Sequence, residues 1–176
     1  RRILEKTALL ELPNASELAR ELRVDARRIR SHLEALEALF VIHAVEPGKF
    51  GVGKTLYYPF DTGLASFLGA GLRRRWQIWF LNEWMNKKRF SGAVSQAKPL
   101  YYLSSRGSFV DFVTEERIFH LFSDLPYPDR RIKLTVQAVL KKASEISVRV
   151  YSATDQPGGK FLPKVVAIPW KTIVES

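Results

Sequence analysis

The chain has 176 residues, 46% of them hydrophobic and 12% aromatic, which is enough bulky apolar material for a packed core and excludes wholesale disorder. With no Cys and only 3 His (His32, His43 and His120, scattered), it has no disulfide scaffold, thiolate zinc site, iron–sulfur centre or cysteine nucleophile, and little for a histidine metal site. A formal net charge of +10 favours an anionic partner, nucleic acid first, over charge carried only for solubility.

Arg1 to Glu11 opens the chain as a charged helix, with apolar Ile3, Leu4, Ala8 and Leu9. It is no signal peptide and lacks an initiator Met, and no later apolar run approaches the about 18 residues of a membrane span. The expectation is therefore a cytoplasmic fragment of something longer, with no membrane partner. Leu12-Pro13-Asn14 stops the helix, and Asn14 or Ser16 offers the cap for a second, Ala15 to Leu22. After the turn Arg23-Val24-Asp25, with Asp25 placed as a cap, Ile29, Leu33, Leu36 and Phe40 form one stripe at helical spacing. Val41 to Val45 reads as a strand, Glu46 to Gly53 as a glycine-rich loop, and Thr55 to Tyr58 as the returning strand, ended by Pro59. Three helices followed by a β-hairpin is the plan of a winged helix-turn-helix. Asp61-Thr62-Gly63-Leu64 opens a short helix that closes near Gly69-Ala70-Gly71, so the first domain is placed at residues 1–70.

Residues 71–176 change character. Leu72 to Lys88 reads as a long Trp-rich helix, followed by β-like runs at Pro99–Leu103, Ser108–Thr114 and Arg117–Phe122. Arg130 to Ala143 is helical in spacing, and Ile146–Tyr151 and Lys164–Ile168 read as strands. The whole is an α+β chain whose second half is a layered α/β domain.

On the helix from Ala26, the face opposite Ile29, Leu33 and Phe40 carries Arg27, Arg30, Ser31 and Glu34, with Arg28 on a flank and His32 at the edge of the apolar stripe. In a helix-turn-helix such a face enters the major groove, where Arg grips guanine or phosphate and Ser31 donates to either. Arg20 and Arg23 would lie over the backbone, and Lys49 and Lys54 in the wing would reach flanking phosphates. Double-stranded DNA and a protein surface both remain open as partners of this face.

Gly48-Lys49-Phe50-Gly51-Val52-Gly53-Lys54-Thr55 matches the Walker A pattern letter for letter. A P-loop needs a helix to begin at its Lys-Thr pair so that free N–H groups cradle phosphate. Leu56-Tyr57-Tyr58-Pro59 is β-like instead, so no nucleotide is expected here.

In the second half, Leu72, Trp76, Trp79 and Glu83 share one helical stripe, and Phe109, Asp111 and Val113 share one strand face. A helix Glu with a strand Asp is part of a metal-dependent nuclease constellation, but Arg117 to Ser123 supplies neither the further acid nor the lysine such a site needs. Glu83 and Asp111 are therefore expected to be structural carboxylates, with no metal and no catalytic residue.

Several blocks in this order resemble the C-terminal region of prokaryotic AAA-type P-loop ATPases. They are Ser16 to Leu22, Leu33 to Phe40, Tyr57 to Leu64 with its Asp61-Thr62-Gly63-Leu64, Asn82-Glu83, Leu100-Tyr101-Tyr102 and Val110-Asp111-Phe112-Val113. The resemblance implies a winged helix joined to a restriction-endonuclease-like fold of the PD-(D/E)XK type, behind an ATPase module that lies upstream and would alone hold ATP and magnesium. It makes the Walker-like stretch the wing. It also makes the second domain degenerate: Gln77 and Phe109 stand where acids are usual, and the Glu-Val-Lys-like segment is replaced within His120 to Ser123. Glu83 and Asp111 would then be the vestige of a nuclease site. The implied function is non-catalytic DNA binding, with the exposed basic set Arg73, Arg74, Arg75, Lys87, Lys88 and Arg89 as a second platform for DNA or for the ATPase module. The alternatives are a module coupling the ATPase to a protein partner and, more weakly, a metal-dependent nuclease.

Overall fold

The computed structural model describes residues 1–48, 52–90, 100–103, 108–114, 118–124, 130–141, 146–152 and 165–169. These form a mixed α+β structure with two separate sheets, one of two strands and one of five. Contacts divide the chain into two units, Arg1–Pro47 with Gly53–Lys98, and Gly48–Val52 with Pro99–Ser176.

The first unit begins with α1 (Arg2–Leu9), α2 (Ala15–Leu22) and α3 (Ala26–Ala38). Asn14 caps α2, its Oδ1 accepting from the N–H groups of Ser16 and Glu17, each at 3.1 Å. Asp25 does the same for α3 through Arg27 and Arg28, at 2.8 and 3.2 Å. Leu18, Leu22, Ile29 and Leu33 project inward from α2 and α3 and meet Ile42, with Leu36 and Tyr57 packed around them. A hairpin of β1 (Ile42–Val45) and β2 (Leu56–Pro59) closes this core, pairing Ile42 with Pro59 and Val45 with Leu56. Tyr57 N–H donates to the Pro13 carbonyl at 2.9 Å, which ties the hairpin to the segment between α1 and α2.

Phe40 departs from the expected stripe. Helix α3 ends two residues earlier, and Phe40 takes a left-handed backbone (φ 55°) with an exposed side chain. Its N–H bonds to Glu37 O and that of Val41 to Leu36 O, each at 2.9 Å, the paired bonds of a Schellman helix end. His32 is also exposed rather than at the edge of the core, and its Nδ1 donates back to the Arg28 carbonyl at 2.6 Å.

A short α4 (Thr62–Phe67), capped by Asp61, leads into the long α5 (Leu72–Phe90), which groups with the first unit. Its buried face is Arg74, Gln77, Ile78 and Leu81. The stripe expected from Leu72, Trp76, Trp79 and Glu83 is not the buried one, and Glu83 is exposed. The physical reason is Arg74. Its guanidinium donates to the carbonyls of Leu10 and Glu11, where α1 has ended, and lies 4.7 Å over the Tyr58 ring. Asn82, two turns on, donates to the Phe60 carbonyl and accepts from His43 Nε2 at 2.8 Å. The expected exposed basic platform is accordingly corrected at its start. Arg74 is buried, Arg73 pairs with Glu11 at 3.4 Å, and Arg75 donates to Ser66 Oγ at 3.4 Å. The side chains of Lys87, Lys88 and Arg89 lie outside the described residues.

The second unit is a sheet in the order β3 (Leu100–Leu103), β4 (Phe109–Val113), β5 (Ile118–Ser123), β6 (Ser147–Ser152), β7 (Val165–Pro169). The first three strands run antiparallel and the last three parallel, with α6 (Arg130–Leu140) as the crossover between β5 and β6. Ile132, Val136 and Val139 of α6 bury against Val110, Phe119, Leu121, Val148 and Val150. Where β3 meets β4 the register shifts: Leu100 pairs with Val113 but Tyr102 with Val110, so β4 carries one extra residue there. This bulge corrects the expected alternation, because Val110 and Val113 both pack towards α6.

Candidate nucleic-acid interface

Helix α3 carries its charges in an order that works against its own stability. Arg27, Arg28 and Arg30 crowd the N-terminal end, Glu34 and Glu37 lie towards the other, and neither an acid in the first turn nor a base in the last offsets them. The helix dipole favours the reverse, by about 0.3–1 kcal/mol per charge. Asp25 compensates only in part, through its cap. At the N-terminus of α3 the dipole and three guanidinium groups therefore add to one electropositive field, the polarity that holds phosphate at helix N-termini.

The face itself is open. Arg27, Arg30, Ser31 and Glu34 are all exposed opposite buried Ile29 and Leu33, with Arg28 exposed on the flank. Among the described residues, no carboxylate pairs with Arg27, Arg28 or Arg30. Arg20, one helix back, is different: it pairs with Glu17 and, at 3.9 Å, with Glu21. Arg23 sits between the helices in the left-handed conformation (φ 55°, ψ 45°) that closes α2. Glycine adopts that conformation freely, whereas another residue loses roughly 1–2 kcal/mol there. A strained, exposed arginine at the turn keeps a cation where glycine would fold better.

Lys54 follows the hairpin loop, and its Nζ donates to Ser16 Oγ at 2.8 Å, above the start of α2. Lys49 lies outside the described residues. Thr55 Oγ1 donates to the Glu46 carboxylate at 3.0 Å and the chain runs directly into β2, so the Lys-Thr pair of the Walker-like stretch opens a strand and not a helix. The acidic flank of α3 lies towards Tyr57. Its hydroxyl is pushed above the ordinary tyrosine range by burial first, then by Glu37, Glu46 and Glu34, with Arg30 opposing.

Glu83 belongs to the first unit and Asp111 to the second. Asp111 is fully buried at the β4 bulge, where its Oδ2 accepts the Phe122 N–H at 2.8 Å. The carboxylate thereby satisfies a backbone amide of the neighbouring strand β5. Beside it, His120 is hydrogen-bonded through Nδ1 to the Tyr151 hydroxyl at 2.9 Å and stacks on that ring. Burial, and secondarily Arg149, lower the His120 pKa to about 3, while burial raises that of Tyr151. Among the described residues no group of three or more His, Asp or Glu is placed to hold a metal ion, and no helix is long and apolar enough to cross a membrane.

Two features of the first unit are not legible in the sequence. Arg74 looks like surface charge until α1 and α5 are brought together. Arg23 gave no signal of left-handed backbone, since no Gly or Asn marks the turn. Compared with protein-family models, with curated proteins and with solved structures, the chain matches none.

Proposed function

We propose that this chain is a non-catalytic, duplex-DNA-binding region whose contact surface is the exposed face of α3. The observation that carries the reading is the reversed charge order on that helix. Three arginines, which pair with no carboxylate among the described residues, stand at the positive end of the dipole, where they lower helix stability and raise affinity for a polyanion. The order three helices then hairpin, with α2 and α3 joined by a three-residue turn, supports a winged helix-turn-helix with α3 as recognition helix. In that arrangement Arg27, Arg28, Arg30 and Ser31 contact the groove and its edges, and Arg20, Arg23 and Lys54 the flanking backbone. The second unit, with its crossover helix between parallel strands, is read as a degenerate nuclease-like scaffold, and the chain as the cytoplasmic C-terminal region of an AAA-type ATPase whose upstream module binds ATP and magnesium. The role of Asp111 in holding Phe122 N–H supports a structural vestige over a catalytic carboxylate.

The test is fluorescence-anisotropy titration of labelled duplex DNA at two salt concentrations. Micromolar binding that falls steeply with salt, and is lost in Arg27→Ala/Arg30→Ala, is the expected result. No binding at low salt overturns the reading. One observation favours a second: Leu39, Phe40 and Phe67 are 70%, 66% and 80% exposed, large apolar groups suited to a protein partner. A docking module of that kind keeps its partner in Arg27→Ala/Arg30→Ala and loses it in Phe40→Ser. Magnesium-dependent DNA cleavage that disappears in Asp111→Asn would instead point to a nuclease.

A further inference from the structure

Glu34 is an odd residue for a face that meets a polyanion. It lies on the same outward side of α3 as Arg27, Arg30 and Ser31 and is exposed. Arg30 stands four residues before it, yet among the described residues the two form no ion pair. With the cation N-terminal to the anion, the pair has the weaker of the two helical orders. Both groups are exposed, and among the described residues neither forms an ion pair.

We infer that Glu34 determines sequence specificity, selecting cytosine in the major groove; this rests on the reading that α3 enters that groove. A carboxylate only accepts hydrogen bonds, and near phosphate it is repelled, so it raises the cost of every complex that offers it no donor. In the major groove the donors are the amino groups of cytosine and adenine. Adenine presents N7, an acceptor, beside its amino group, and N7 opposes the second carboxylate oxygen. Cytosine presents its amino group without that neighbour. Arg30 meets guanine O6 and N7 by the complementary logic. Four residues of helix rise by about 6 Å, and base pairs stack about 3.4 Å apart, so the selected guanine and cytosine lie roughly two steps apart.

The experiment is selection from a randomised duplex library by the wild-type chain, Glu34→Ala and Glu34→Gln in parallel, with anisotropy on the enriched duplexes. The wild type should enrich a cytosine roughly two base pairs from a guanine, with about tenfold preference at the cytosine. Glu34→Ala should lose that preference, keep the guanine and bind unselected duplex several-fold more tightly. Glu34→Gln should move the preference to adenine, whose N6 and N7 an amide can satisfy together. Enrichment of the same cytosine by Glu34→Ala overturns the inference. Duplex binding by the wild type without any enriched base also overturns it and leaves the DNA-binding reading standing. Absence of duplex binding overturns both.

Discussion

Arg23 sets stability against binding in one residue, and two substitutions separate the terms. Arg23→Ala removes the guanidinium and keeps a Cβ in the left-handed region, whereas Arg23→Gly removes both the charge and the steric cost. The left-handed conformation costs a non-glycine residue roughly 1–2 kcal/mol, and glycine returns about 0.5–1 kcal/mol of that through its freer unfolded chain. Arg23→Gly should therefore be about 0.5–1 kcal/mol more stable than Arg23→Ala. In urea, with a slope of about 1–3 kcal/mol per molar, the midpoint should rise by roughly 0.5 M. Tryptophan fluorescence suits the assay because Trp76, Trp79 and Trp84 all lie on α5, in the same unit as Arg23. On DNA both variants should behave alike, each lowering the slope of log affinity against log salt by about 0.9 if Arg23 neutralises one phosphate. A glycine variant no more stable than the alanine variant refutes the strain argument. An unchanged salt slope in both refutes the placement of Arg23 on the backbone.

Arg74→Met removes the guanidinium that serves the Leu10 and Glu11 carbonyls and covers Tyr58; the expected loss is about 3–5 kcal/mol in the same urea assay, with Arg74→Lys intermediate, and a loss below about 1 kcal/mol would reject the clamp. His120 stays neutral in the folded chain down to about pH 3, whereas the unfolded imidazole protonates near 6.5. Between those values the unfolded state holds more protons, so His120 makes stability fall as pH drops from 6.5 towards 3, with a slope approaching about 1.4 kcal/mol per pH unit. His120→Phe should flatten the Tm–pH curve over that window, and parallel curves would reject the assignment. Asp111→Ala leaves the Phe122 N–H without its carboxylate and should cost about 1–3 kcal/mol, while Asp111→Asn, which keeps an acceptor, should cost less; faster amide exchange at Phe122 in the alanine variant is the local check.

What was legible in the sequence was local. Asn14, Asp25 and Asp61 are short polar side chains at the start of helical spacing, and each accepts backbone N–H groups in the folded chain. The period of Ile29 and Leu33 likewise needs no partner to be read. Where long-range pairing decides, the sequence was silent or misleading. Phe40 continues the period of α3 by spacing, but a Schellman end lifts it out of the helix, and no glycine announces that end. On α5 two stripes compete, and tryptophans at Trp76 and Trp79 outweigh Arg74 and Gln77 on any hydrophobicity scale. The stripe of Arg74, Gln77, Ile78 and Leu81 is nevertheless the buried one, because the segment just after α1 supplies carbonyls for Arg74. Asp111 is similar: alternation assigns it a face, yet the bulge exists only in the register between β3 and β4. At the candidate interface the arginines were legible as an exposed face, while their conflict with the helix dipole and the strain at Arg23 needed the fold.

The charge conflicts share one location, while Phe40 repeats the left-handed backbone of Arg23 at the other end of α3. Arg23, Arg27, Arg28 and Arg30 all lie in the α2–α3 turn or the first half of α3, and each sits where another residue type would favour folding more. Elsewhere in the first unit, polar groups are arranged for stability. Arg74 closes the exit from α1, and Asn82 joins His43 of β1 to the Phe60 carbonyl just after β2. The two residues are eight apart on α5, about 12 Å along its axis, so one helix holds both the end of α1 and the base of the hairpin. Burial in the core shared by α2, α3 and β1 then fixes Ile29 and Leu33 and leaves the opposite face of α3 free to carry charge in an unfavourable order. A helix kept for solubility gains nothing by that order, since exchanging its acids and arginines would leave net charge unchanged and stabilise it. A helix that meets phosphate at its N-terminus gains affinity from it.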